Sequence, residues 1–153
     1  MELEKMKVHR RLALKGMLAL SAIAAWPRLL LAARPDSAFS ASDADKAIAD
    51  LFGQTPLDSE QVKMKIPDIA ENGAVVPVTV STDLENVESI SIVVVNNPTP
   101  LAAVFLLTPR SIPSVSVRIK MGQTSQVRAL VNAGGNLYST SKDVKVTIGG
   151  CGG

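Results

Sequence analysis

Hydrophobic and polar positions along the chain change their period once, shortly before Val62. Ahead of that point Ala44, Ala47, Ile48, Leu51 and Phe52 recur at helical spacing. Ser42 is placed to cap this helix, Asp45 follows three residues later, and Gly53 can stop it. The spacing predicts one short helix with a single apolar stripe, packed against its own domain or a partner. From Val62 the period is two: Val62-Lys63-Met64-Lys65-Ile66 alternates, Asn72-Gly73 marks a turn, and Val76, Val78 and Val80 follow. Further apolar runs lie at Ile90 to Val95, Ala103 to Leu107, Val115 to Met121, Gln126 to Val131 and Asp143 to Ile148. Asn96-Asn97-Pro98, Pro109, Pro113, Gly122 and Gly134-Gly135 divide them. The expectation is a mainly β chain: an immunoglobulin-like antiparallel β-sandwich of about seven strands, with a short N-terminal helix. Such a sandwich has exposed edges, and dimerisation with a second β-domain would cover them.

The first 40 residues follow neither pattern. Arg10 and Arg11 are paired, Leu14 and Lys15 follow, and apolar runs extend from Gly16 to Trp26 and from Leu29 to Ala33. This resembles a twin-arginine export signal, although His9 and Ala13 depart from the commonest pattern. Pro27 and Arg28 interrupt the apolar stretch before it reaches the roughly 18 to 20 residues needed to cross a bilayer. Residues 1–40 are therefore expected to be a cleaved leader, removed between Ala33 and Ala41, and the working protein is expected in the periplasm. Residues 41–148 form the expected β-sandwich domain. A twin-arginine substrate crosses folded, which predicts export together with a leaderless partner.

Composition then narrows the chemistry. Hydrophobic residues make up 46% of the 153 but aromatic residues only 3%, so the core must be aliphatic, and no stacking platform for nucleic acid is available. The formal charge of +2 comes from the leader: from Ala41 onward 9 Lys and Arg stand against 11 Asp and Glu, a net of −2. No basic footprint for phosphate backbones remains. His9 is the one histidine, so the expected mature chain has no imidazole for a hydrolytic triad or a His metal site. Asp83, Glu85 and Glu88 lack calcium-loop spacing and read as a solvated loop. No cofactor, metal or catalytic machinery is expected; the chain reads as a non-catalytic subunit.

What remains is Gly149-Gly150-Cys151-Gly152-Gly153. Glycine has the loosest backbone and no side chain, so residues 149–153 are expected to be a mobile arm slim enough for a narrow cleft. From Gly149 to Cys151 it adds roughly 10 Å of reach at about 3.3 to 3.6 Å per residue. A free thiol has a pKa near 8.5, and nothing local lowers it here, so a partner must activate Cys151. The arrangement suits covalent attachment of substrate to Cys151, with Gly149, Gly150, Gly152 and Gly153 supplying freedom. An unpaired cysteine in an oxidising compartment also invites intermolecular disulfides.

The tail, the paired arginines of the leader and the stretch Asp68-Ile69-Ala70-Glu71-Asn72-Gly73-Ala74-Val75-Val76-Pro77-Val78 together resemble the SoxY family, sulfur-substrate carriers of the periplasmic Sox system for thiosulfate oxidation. The resemblance implies that Cys151 accepts thiosulfate in an oxidative coupling run by a c-type haem enzyme. A separate hydrolase would then release sulfate, and a molybdenum and haem sulfane dehydrogenase could oxidise the remaining sulfur. It also implies a heterodimer with a SoxZ-like β-sandwich subunit lacking its own export signal. Two other readings stay open: a structural or adhesive immunoglobulin-like module cross-linked by Cys151, and a Gly-Gly-terminal sulfur carrier or modifier activated at its carboxylate. The second needs ATP, which a periplasmic protein does not meet.

Overall fold

A computed structural model describes residues 35–147. Two helices precede the strands, α1 (Asp36–Ser40) and α2 (Ala44–Phe52). Helix α2 starts one residue later than its sequence pattern predicts. Asp43, not Ser42, is the N-cap: it is extended at φ −120° and ψ 138°, and its Oδ1 accepts the Lys46 backbone N–H at 2.8 Å. A carboxylate there both satisfies a free N–H and faces the positive end of the helix dipole. Gly53 ends the helix in the left-handed conformation, φ 66°.

Nine strands follow among the described residues: β1 (Leu57–Asp58), β2 (Val62–Lys65), β3 (Ile69–Ala70), β4 (Val76–Thr82), β5 (Val87–Val94), β6 (Leu101–Leu106), β7 (Ser114–Ile119), β8 (Ser125–Ala133) and β9 (Asn136–Val146). They form two sheets. The larger runs β1-β9-β8-β5-β6, with β3 also lying along β9, and the smaller runs β2-β4-β7. All pairings are antiparallel except those of β1 and β3, which run parallel to β9. The mainly β architecture matches the expectation. The two strands beyond the expected seven are two-residue segments, too short to carry a period.

Burial explains the patterns. In β4, Val76, Val78 and Val80 are buried between the sheets while Pro77, Thr79 and Ser81 face outward. In β5 the alternation disappears, because Ile90, Ile92 and Val94 face the inter-sheet core while Val93 faces a second cluster on the outer side. That cluster joins Val93, Leu101, Leu130 and Leu137 to Ala38, Ala41, Ala44, Ala47 and Ile48 of the helical segment. The α2 stripe thus packs against its own domain, and the larger sheet is covered on both faces, which a continuous apolar run requires. Helix α1 lies within residues 1–40, assigned above to the leader. Ala38 is nevertheless fully buried in this cluster.

Asp83 and Glu88 of the acidic stretch each have a partner: Asp83 pairs with Lys63, and Glu88 accepts a 3.0 Å bond from Asn132 Nδ2. The leader pair Arg10 and Arg11 lies outside the described residues. Among the described residues no helix is long and apolar enough to cross a membrane.

Candidate functional site

Cys151 and its glycines Gly149, Gly150, Gly152 and Gly153 also lie outside the described residues. What the structure defines is the place from which they start. Strand β9 runs through the larger sheet between β8 and the short strands β1 and β3, so its last turns are held from two sides. On one side Val146 N–H donates to Thr124 Oγ1 at 3.0 Å. On the other, Lys145 N–H donates to the Asp68 carbonyl at 2.9 Å and Thr147 N–H to the Ala70 carbonyl at 3.1 Å. The chain is therefore fixed up to Thr147, two residues before the first glycine of the tail.

Asp68 is itself tied to β9, because its Oδ1 lies 2.8 Å from Lys142 Nζ, which also donates to the Ile66 carbonyl at 3.1 Å. The sharper constraint is at Gly73. A Cβ there would lie 2.3 Å from the Met121 carbonyl oxygen and 2.8 Å from Val146 Cγ1. Met121 N–H donates to the Gly73 carbonyl at 2.7 Å. The turn before β4 can close onto the end of β9 only where no side chain intervenes.

Side chains of the β5–β6 turn complete this end of the sandwich. Asn97 Nδ2 donates to the Lys120 carbonyl at 2.8 Å and Asn97 Oδ1 accepts Gly122 N–H at 3.0 Å. Asn96 Nδ2 donates to the Thr124 carbonyl at 3.0 Å, and Gln123 Nε2 returns a 2.9 Å bond to the Asn96 carbonyl. Each loop is thus braced by another, and Thr124, which holds Val146, belongs to the braced set. Sequence reading marks Asn72-Gly73 and Asn96-Asn97-Pro98 as turns and stops there. It misses that Gly73, Asn97 and Thr124 support the end of β9, since a residue's preference for turns does not reveal which other loop it will meet.

The chemistry around this root is sparse. Among the described residues no group of three His, Cys, Asp or Glu side chains could hold a metal ion. Lys120 and Lys145 are exposed at this end and form no ion pair among the described residues, and Glu71 is exposed there too. Ile69 and Val75, 56% and 49% exposed, leave apolar surface beside the end of β9. The described part offers an anchor and a surface; its one serine hydroxyl bonded to a carboxylate side chain, Ser139 Oγ donating to Asp58 Oδ1 at 2.9 Å, ties β9 to β1.

A family model described as "Sulfur oxidation protein SoxY" matches residues 48–151, a span that includes Cys151. Among solved structures, the sulfur carrier protein SoxY from Chlorobium limicola f thiosulfatophilum is similar at 46% identity with a TM-score of 0.63, covering 71% of this chain and 100% of that one. A superoxide reductase (neelaredoxin) from Ignicoccus hospitalis matches at 16% identity and a TM-score of 0.50, covering 57% of this chain and 83% of its own, which is a likeness of fold alone. No curated protein sequence matches. Matched over most of its length, from within α2 through to the tail cysteine, the chain belongs to the SoxY family.

Proposed function

We propose that this chain is a non-catalytic carrier of sulfur intermediates in thiosulfate oxidation, bound as thioconjugates to Cys151. The observation that carries the reading is a lone thiol among four glycines, set just beyond a strand pinned up to Thr147, in a chain of the SoxY family. A fixed root and a glycine arm divide the labour: the domain gives partners a surface to recognise, and the arm delivers sulfur into their clefts.

In the coupling step a Cys151 Sγ–S bond forms to the sulfane sulfur of thiosulfate. The thiol loses its proton and two electrons pass to a c-type haem partner, leaving Cys–S–S–SO3⁻. Water then attacks the sulfonate sulfur in a hydrolase, releasing sulfate and a proton and leaving a persulfide on Cys151. A molybdenum and haem dehydrogenase is the candidate to oxidise that sulfur. The conjugate is anionic, and Lys120 and Lys145 near the end of β9 favour its sign over Glu71. The chain works with a SoxZ-like β-sandwich subunit, after export to the periplasm by a twin-arginine signal at Arg10 and Arg11.

Intact mass measurement of the mature protein from cells oxidising thiosulfate tests the reading. A reductant-labile addition of sulfur or thiosulfonate mass, absent in Cys151→Ser, is the expected result. An unmodified thiol, or only a disulfide dimer, would leave the cysteine as a structural cross-link.

A further inference from the structure

Small side chains one and three positions ahead of a bond mark it for a signal peptidase. Between Ala33 and Ala41 the better match is the Ser40–Ala41 bond, which Ala38 and Ser40 precede at those positions. The Ala33–Arg34 bond comes second, with Ala33 beside it and aliphatic Leu31 at the third position. Bonds after Ser37 and Ala38 place Pro35 and Asp36 at that third position, a rigid ring and a charge. By sequence alone, the leader ends at Ser40 and α1 is discarded with it.

The fold reverses that order. Ala38 N–H and Phe39 N–H both donate to the Pro35 carbonyl, at 3.0 and 3.2 Å, and Ser40 Oγ donates to the Asp36 carbonyl at 2.6 Å. The residues a peptidase would need in extended form are thus wound into α1. Ala38 is fully buried and Ala41 is 5% exposed; both belong to the cluster of Val93, Leu101, Leu130 and Leu137, and Phe39 packs against it. Proteolysis favours exposed and loosely held chain, and a bond between a helical residue and a buried one is neither.

A cut at Ser40–Ala41 would also damage its product. The new α-ammonium group would stand on Ala41, within an apolar cluster, where a charge without a partner is costly. Losing α1 would open part of the cluster around Leu101, Leu130 and Leu137 to water. A cut at Ala33–Arg34 does neither. The compact unit that holds the sandwich begins at Arg34, and the Pro35 carbonyl that starts α1 stays with it.

The state in which the chain meets the peptidase decides between the two bonds. An unfolded chain would be read by sequence alone. A twin-arginine substrate is folded before it crosses, so α1 is already packed when the peptidase arrives. We infer that the leader ends at Ala33, that α1 belongs to the working protein, and that the folded domain itself withholds the Ser40–Ala41 bond from processing. This assignment rests on the twin-arginine export proposed above, and it adds the bond that is cut and the reason the better-matched one is spared.

N-terminal sequencing and intact mass of the chain from the periplasm of cells oxidising thiosulfate test it. Arg34 should be the first residue. Ser40→Leu, at an exposed side chain, should leave that terminus unchanged. Ala33→Pro replaces the small side chain with a ring that lacks a backbone N–H, so uncut chain should accumulate. A periplasmic chain that begins at Ala41 or within α1 overturns the inference and leaves export standing. So does processing that Ser40→Leu blocks and Ala33→Pro leaves alone. A wild-type chain that stays uncut in the cytoplasm ends the export reading, and the processing site with it.

Discussion

At Gly73 the space for a side chain is already taken by the Met121 carbonyl and Val146 Cγ1, at 2.3 and 2.8 Å from where a Cβ would sit. Backbone cannot yield as a flexible side chain can, so Gly73→Ala must push the turn away from the end of β9. The expected cost is about 1–3 kcal/mol, the range for overpacking a tight site, read as a lower urea midpoint. An unchanged midpoint would mean that the turn relaxes freely and does not hold the arm root. Asp43 makes a smaller test of the same kind. Asp43→Ala removes the 2.8 Å bond to Lys46 N–H and should lower stability by about 1 kcal/mol, whereas Ser42→Ala should change little. Equal effects at the two positions would restore Ser42 as the cap. Ser and Asp are comparable caps by type, so the sequence could not choose between neighbours, and the backbone's entry angle decided it.

At the scale of elements, the hairpin between β8 and β9 has the strictest demand. Gly134 and Gly135 have φ of 57° and 79°, and Ala133 pairs with Asn136 across them, which is the two-residue loop that needs positive φ at both positions. Gly135→Val should cost about 1–2 kcal/mol for the left-handed conformation, while Gly134→Asn should be milder, as thermal denaturation of the two variants would show. This loop, the apolar stripe of α2 and the alternation in β2 and β4 are legible in the sequence because each rests on local rules. The two-residue strands β1 and β3 are not, since they exist only because β9 offers a partner. Nor is the role of α1, whose Ala38 is buried beside Leu101, Leu130 and Leu137. A small residue in a leader-like segment looks the same whether a peptidase or a core will receive it. Ala38→Asp distinguishes the two. If α1 stays with the working protein, a buried unpaired carboxylate there should cost several kcal/mol, on the order of the penalty for an unsatisfied charged group, and the mature N-terminus should lie at or before Asp36. A mature chain starting at Ala41, with stability untouched by the substitution, would place α1 in the leader.

For the molecule as a whole, stability and the proposed chemistry fall to different residues. Among the described residues the buried cores draw on aliphatic side chains and Met121 between Ala38 and Val144, with no cysteine among them. Cys151 lies outside that set and outside the described residues, and the carrier role proposed for it rests on four glycines around one cysteine and on the family match. The supporting residues Gly73, Asn97 and Thr124 were not readable, because they act through contacts between loops distant in sequence. The separation has a measurable consequence. Cys151→Ser should unfold in urea at the wild-type midpoint, within the roughly 0.5 kcal/mol of a surface substitution, and reductant should not shift the wild type. The same variant should lose all thiosulfate-dependent electron delivery when mixed with the partner enzymes. Asn97→Ala should do the reverse. It breaks the bonds to Lys120 and Gly122 and should lower stability by about 1–3 kcal/mol, leaving Cys151 able to accept sulfur at temperatures where the domain remains folded. A Cys151→Ser chain that loses stability together with activity would make the cysteine part of the structure, and the division between anchor and arm would fail.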